Sequence, residues 1–192
     1  QLPKEVKEGL RIVGSDDWDN NKQQEWENRL ALLRLKANEV VPKIADTLRS
    51  IPIENHYPRY ELTFLLGEIG SDQALPVLKE VIQEKVPEEL MQYPQSEGTP
   101  GGSYLIVKTQ AVDAIMMIGL QSDKKEEIKG TLVEGISSEY RPVRRASVMA
   151  MKQLFPDDPA LKEKVIAMLP EKDKFFYDIK IQHEAIPITL PK

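Results

Sequence analysis

Arg59 to Gly70 places Leu62, Leu65, Leu66 and Ile69 at helical spacing and then stops on a glycine. The pattern returns from Val107 to Gly119, with Ala111, Ala114, Ile115 and Ile118 in the same places and the two glycines 49 residues apart (119 − 70). A third copy runs from Val143 to Phe155, where Val143, Arg144, Ala150, Met151 and Leu154 repeat Val107, Lys108, Ala114, Ile115 and Ile118 at an offset of 36 (143 − 107). Upstream, Ala31, Leu32 and Leu35 align with Leu65, Leu66 and Ile69 at an offset of 34 (65 − 31). Self-similarity at this period marks stacked helical units, and a fold of any other kind must first explain it away.

The second half of the unit repeats too. Asn38 to Ile44 maps onto Asp72 to Leu78 at the same offset of 34, with Pro42 falling on Pro76. Asn38, Asp72, Ser122 and Asp158 read as N-caps of second helices, because their side chains accept from backbone N–H groups left open in a first turn. Pro159 takes the first helical position, where its missing N–H is harmless, whereas Pro42 and Pro76 read as lying about a turn in. The spacing predicts first helices near 22–36, 58–69, 103–118 and 141–154, second helices near 39–50, 72–85, 123–136 and 159–169, and a leading helix near 3–13. The offset of 49 exceeds the repeat because 86–102 is inserted, and its Pro87, Pro94, Pro100, Gly98, Gly101 and Gly102 predict a loop.

One helical hairpin cannot bury its own apolar face, but stacked neighbours can. The expected architecture is therefore all-α: a right-handed α-solenoid over 1–170, with units near 22–50, 58–85, 103–136 and 141–169. A separate tail covers 171–192. There Phe175, Tyr177, Ile179 and Ile181 alternate with Phe176, Asp178, Lys180 and Gln182, which predicts a strand or extended segment, a helix being the alternative.

Pro142 to Leu154, with its valine, paired arginines and alanines, and Leu66 to Leu78, with its glycine–aspartate–alanine–leucine–proline turn, resemble HEAT repeats. They look most like the short HEAT-like repeats named after the phycobilisome bilin lyases. The resemblance spans about residues 22–170, although Phe155 stands where the turn glycine would be and 86–102 lies outside the unit. It implies a scaffold that binds proteins. It also implies, as an alternative, an enzyme of bilin-lyase or HEAT-like DNA-glycosylase type; a further alternative is a structural subunit of a larger envelope or filament assembly in which the array docks permanently.

Composition narrows these classes. The 26 Lys and Arg against 31 Asp and Glu give a net charge of −5, the wrong sign for a chain whose affinity comes from neutralising phosphates. The absence of cysteine removes disulfides, thiolate nucleophiles, zinc–thiolate sites and iron–sulfur clusters. No apolar run approaches the roughly 18 residues of a membrane span. Starting at Gln1 and lacking cysteine, the chain leans towards export after removal of a leader, with the cytoplasm as the other reading.

No motif of nucleophilic catalysis occurs, and His56 and His183 read as turn or surface residues. Asp16, Asp17 and Asp19 lack the glycine and glutamate of a calcium loop and read as a cap and turn. Gly98 to Ser103 lacks the lysine of a phosphate loop. Arg141, Arg144, Arg145 and Lys152 gather on one helix and read as an ion-paired face, with Glu134, Glu139 and Glu163 as counter-ions. Met116, Met117, Met149, Met151 and Met168 read as core. No enzyme activity, cofactor or metal is expected.

The expected function is a non-catalytic scaffold holding a protein or peptide partner on the concave surface of its second helices and on the 86–102 loop. With Leu75, Leu78 and Ile82 turned inward, Lys79, Gln83 and Val77 are displayed; with Ile128, Leu132 and Ile136 inward, Glu127, Thr131 and Glu134 are. Tyr93 and Tyr104 flank the loop and offer contact area at low entropic cost. The candidate partner residues are Lys79, Gln83, Tyr93, Tyr104, Glu127 and Glu134.

Overall fold

The computed structural model describes residues 1–92 and 99–181. Among the described residues the chain is all-helical, with no strand. The α-helices are α1 (Lys4–Val13), α2 (Asn20–Leu35), α3 (Ala37–Ser50), α4 (His56–Ile69), α5 (Leu75–Gln83), α6 (Pro100–Gly119), α7 (Lys125–Ile136), α8 (Arg141–Leu154) and α9 (Pro159–Met168). Short 3-10 helices cover Asp72–Ala74, Glu88–Leu90 and Glu171–Asp178.

Their packing follows chain order in two rows. α2 touches α4, α4 lies along α6, and α6 lies along α8. In the other row α3 touches α5, α5 touches α7, and α7 touches α9, while α5 and α7 back onto α6 and α8. The core runs the length of this arrangement, from Val6 and Leu33 through Leu65, Ile115 and Val148 to Val165 and Phe176.

Local chemistry fixes the boundaries. Gly70 ends α4 with φ 77°, a left-handed conformation that a side chain would strain. Gly119 is instead the last residue of α6, without a left-handed turn, and a Cβ there would lie 2.7 Å from Leu154 Cδ1 of α8, the movable end of a side chain. Asp158 caps α9 by accepting from Leu161 N at 2.9 Å, and Asp19 caps α2 by accepting from Lys22 N at 2.8 Å.

Other expected caps fall differently. Asn38 lies inside α3 and accepts from Gln73 Nε2 at 2.6 Å; Ser71, not Asp72, caps the 3-10 turn before α5; Ser122 accepts from Lys124 N one residue ahead of α7. That 3-10 turn delays α5, so Pro76 sits in the first helical turn and gives up nothing, unlike Pro42 inside α3.

The insertion is shorter than its composition implied. α6 starts at Pro100, with Thr99 Oγ1 accepting from Gly102 N at 3.1 Å, so 100–102 are helical.

The expectation of an extended tail is corrected over 171–178, which forms a 3-10 helix. Among the described residues no sheet edge is at hand to satisfy an extended backbone. Three residues per turn instead bring Asp173 and Phe176 onto one buried face, and Phe175 is left exposed. His183 and the rest of 182–192 lie outside the described residues.

Candidate functional site

The sequence-derived partner residues divide into three groups. Lys79 and Gln83 of α5 both reach Glu134 of α7: Lys79 Nζ donates to Oε1 at 2.9 Å and Gln83 Nε2 to Oε2 at 2.8 Å. All three are well open to solvent, and the hydrogen bonds from Lys79 and Gln83 hold the Glu134 carboxyl below its ordinary pKa. Glu127, also exposed on α7, pairs loosely with Lys124 at 3.7 Å. Tyr104 belongs elsewhere. It is half-buried on α6, edge-on to the His56 ring with centroids 4.3 Å apart. Tyr93 lies outside the described residues.

Val77 and Thr131, expected on display, are buried. α5 and α7 are each packed on more than one side, so their apolar stripes are wider than a single facing neighbour requires.

A larger feature opens on the other row, between α6, α8 and the Glu171–Asp178 helix: a groove of about 890 Å³. Leu105 and Ile106 of α6, Ala146 and Met149 of α8, and Phe176 supply its apolar surface. Met149 is therefore a groove residue, and Met116 and Met117 line a smaller hollow between α4 and α6; of the five methionines expected in the core only Met151 is fully enclosed.

Charge on the two walls is unequal, with exposed Glu139, just before α8, lining the groove on the same side as the basic residues. Asp113 stands on α6, while Arg145 stands on α8 and Lys172 on the 3-10 helix, all exposed. None of the three has a hydrogen-bond or ion-pair partner among the described residues. Asp113 keeps contact with water, yet the surrounding protein mass between the two hollows desolvates its carboxylate and pushes the pKa up to about 6. An unpaired acid with a raised pKa in a concave surface is where a ligand is first sought.

The other basic residues of α8 are spent on structure. Asp173, wholly buried, accepts from Arg141 Nε at 2.7 Å and from Arg144 Nε and Nη2 at 3.0 and 2.6 Å. Arg144 Nη1 also donates to the carbonyls of Ser138 and Glu139 just past α7, at 2.8 and 2.9 Å. Burial alone raises the Asp173 pKa, but the two guanidinium groups outweigh it and hold the carboxyl below its ordinary value. Lys152 donates to Ile179 O at 2.5 Å. The expected counter-ions Glu134, Glu139 and Glu163 are thus corrected: Asp173, from the tail, takes the role.

Lys108 acts similarly one unit earlier. Only 2% exposed, it donates to Val81 O at 3.0 Å, to Ile82 O at 2.9 Å and to Glu84 O, closing the end of α5. Desolvation drops its pKa to about 8.

Among the described residues no three His, Asp or Glu side chains converge as metal ligands, and no helix is long and apolar enough to cross a membrane. No family model matches the chain, and comparison with curated proteins and with solved structures gives no match.

Proposed function

We propose that this chain is a protein-binding scaffold built as a HEAT-like α-solenoid, with its second helices forming the partner surface. The observation that carries the reading is the exposed junction of Lys79 and Gln83 with Glu134, because it sets adjacent second helices side by side as one polar surface. Exposed pairs of this kind are worth little to stability, so they can be exchanged for contacts with a partner at small cost.

Two further features support the solenoid. Each helix touches the next of its own row, as in stacked repeats. Lys108 and Arg144, equivalent in the sequence repeat, donate to backbone carbonyls at the end of α5 and in the turn after α7 respectively. The inserted segment after Lys85 is a second contact element in this reading, shortened by the early start of α6.

Crosslinking pull-down from the native cell tests the proposal, with wild type, Lys79→Glu and Glu134→Lys compared at equal loading. The expected result is a protein partner, identified by mass spectrometry, whose yield falls in both variants while their thermal unfolding stays near wild type. Unchanged recovery in both variants removes the second-helix surface from consideration.

A further inference from the structure

We propose that the groove between α6 and α8 is a second docking site, and that its occupant is an amphipathic helical segment of a partner protein with acidic residues on one flank and a basic residue on the other. The inference deepens the scaffold reading and rests on it, but it places binding on the opposite row of helices.

Three observations carry it. The groove offers apolar surface, with Ile106, Ala146 and Met149 only half-covered by the protein itself. From Gly102 to Asp113 its α6 wall spans about 16 Å, three helical turns at 1.5 Å per residue, enough for anchors at i, i+3/i+4 and i+7 of a docked helix. Among the described residues Asp113 on the α6 wall, and Arg145 and Lys172 on the α8 side, have no charge partner, and although Glu139 lines that second side as well, Arg141, Arg144, Arg145 and Lys172 leave it net basic.

These charges do not satisfy one another, although α6 and α8 are in contact. A helix lying between the walls, apolar stripe inward, would pair its acidic flank with Arg145 and Lys172 and its basic flank with Asp113. That imbalance disfavours the same helix docked in reverse, since its basic flank would meet Arg145 and Lys172 and its acidic flank Asp113, with Glu139 alone offering a counter-charge.

Selection from a random-peptide display library on the immobilised full chain tests this, with wild type, Arg145→Glu and Asp113→Lys run in parallel. Both substitutions are at exposed positions, and circular dichroism melts confirm the fold of each variant. The expected result is enrichment of peptides with an apolar stripe flanked by acids on one side and Lys or Arg on the other. Each single variant should bind them roughly tenfold more weakly. The double variant Arg145→Glu/Asp113→Lys should favour the reversed flank order.

Enriched peptides that bind all variants alike overturn the groove and leave the second-helix surface standing. A selection that enriches nothing overturns the groove too, while the pull-down judges the scaffold separately. Binding of phosphatidylserine vesicles that depends on Arg145 and Lys172, without peptide enrichment, replaces the peptide with an anionic membrane surface.

Discussion

Gly67 of α4 meets Ala114 of α6 so closely that a Cβ on the glycine would lie 2.8 Å from the alanine Cα. The obstacle is backbone, which cannot swing aside as a side-chain end can. Gly67→Val should therefore push α4 away from α6 and lower stability by roughly 2–3 kcal/mol. Urea unfolding followed by circular dichroism measures it, and a midpoint equal to wild type would refute the close approach.

Removing Asp173 leaves buried Arg144 without its counter-ion. Asp173→Ala should cost about 3–5 kcal/mol, and adding Arg144→Met should recover much of that, because an apolar replacement needs no partner. The pH dependence has a definite sign. Asp173 is lowered in the folded state, so its contribution is present above its ordinary value of 3.8 and fades as pH falls through the lower folded value. Acid titration of wild type against the double variant reads this difference below about pH 4.

Lys108→Met should expose the carbonyls at the end of α5 to an apolar side chain, with a loss of roughly 1–3 kcal/mol at neutral pH. Between about 8 and 10.5 the unfolded chain keeps a proton on this lysine that the folded chain sheds. Wild-type stability thus gains from this group as pH rises across that interval. The gap between wild type and Lys108→Met should widen there in paired denaturant titrations.

Asp113 has the opposite slope. Its folded pKa of about 6 lies above the ordinary 3.8, so the folded state binds its proton more tightly and loses stability from this group as pH rises from about 4 to 6. Asp113→Asn should match wild type below that interval and melt slightly higher above it. Thermal midpoints on both sides of the interval decide it.

The helices were legible because their apolar residues recur every three or four positions, a signal local to each segment. The same periodicity placed Lys79, Gln83 and Glu134 outside the core. It misjudged Val77 and Thr131, because how many neighbours a helix packs against is set by residues far along the chain. The tail was misread for a related reason: alternating apolar residues suit a strand, yet Asp173 and Phe176, three apart, obey the docking demanded by Arg141 and Arg144. Nothing local ties a tail carboxylate to arginines about thirty residues earlier. Asp113 likewise looked like an ordinary surface acid, since the groove beside it arises from how α6 and α8 separate.

α6 is the one helix gripped by α4, α5, α7 and α8 together. Opening either end of the molecule leaves most of its neighbours in place, whereas opening α6 removes support from α4, α5, α7 and α8 at once. Its central amides, around Ala111 to Ile115, should be the last to trade hydrogen for deuterium, and their protection should approach the free energy of opening the whole fold.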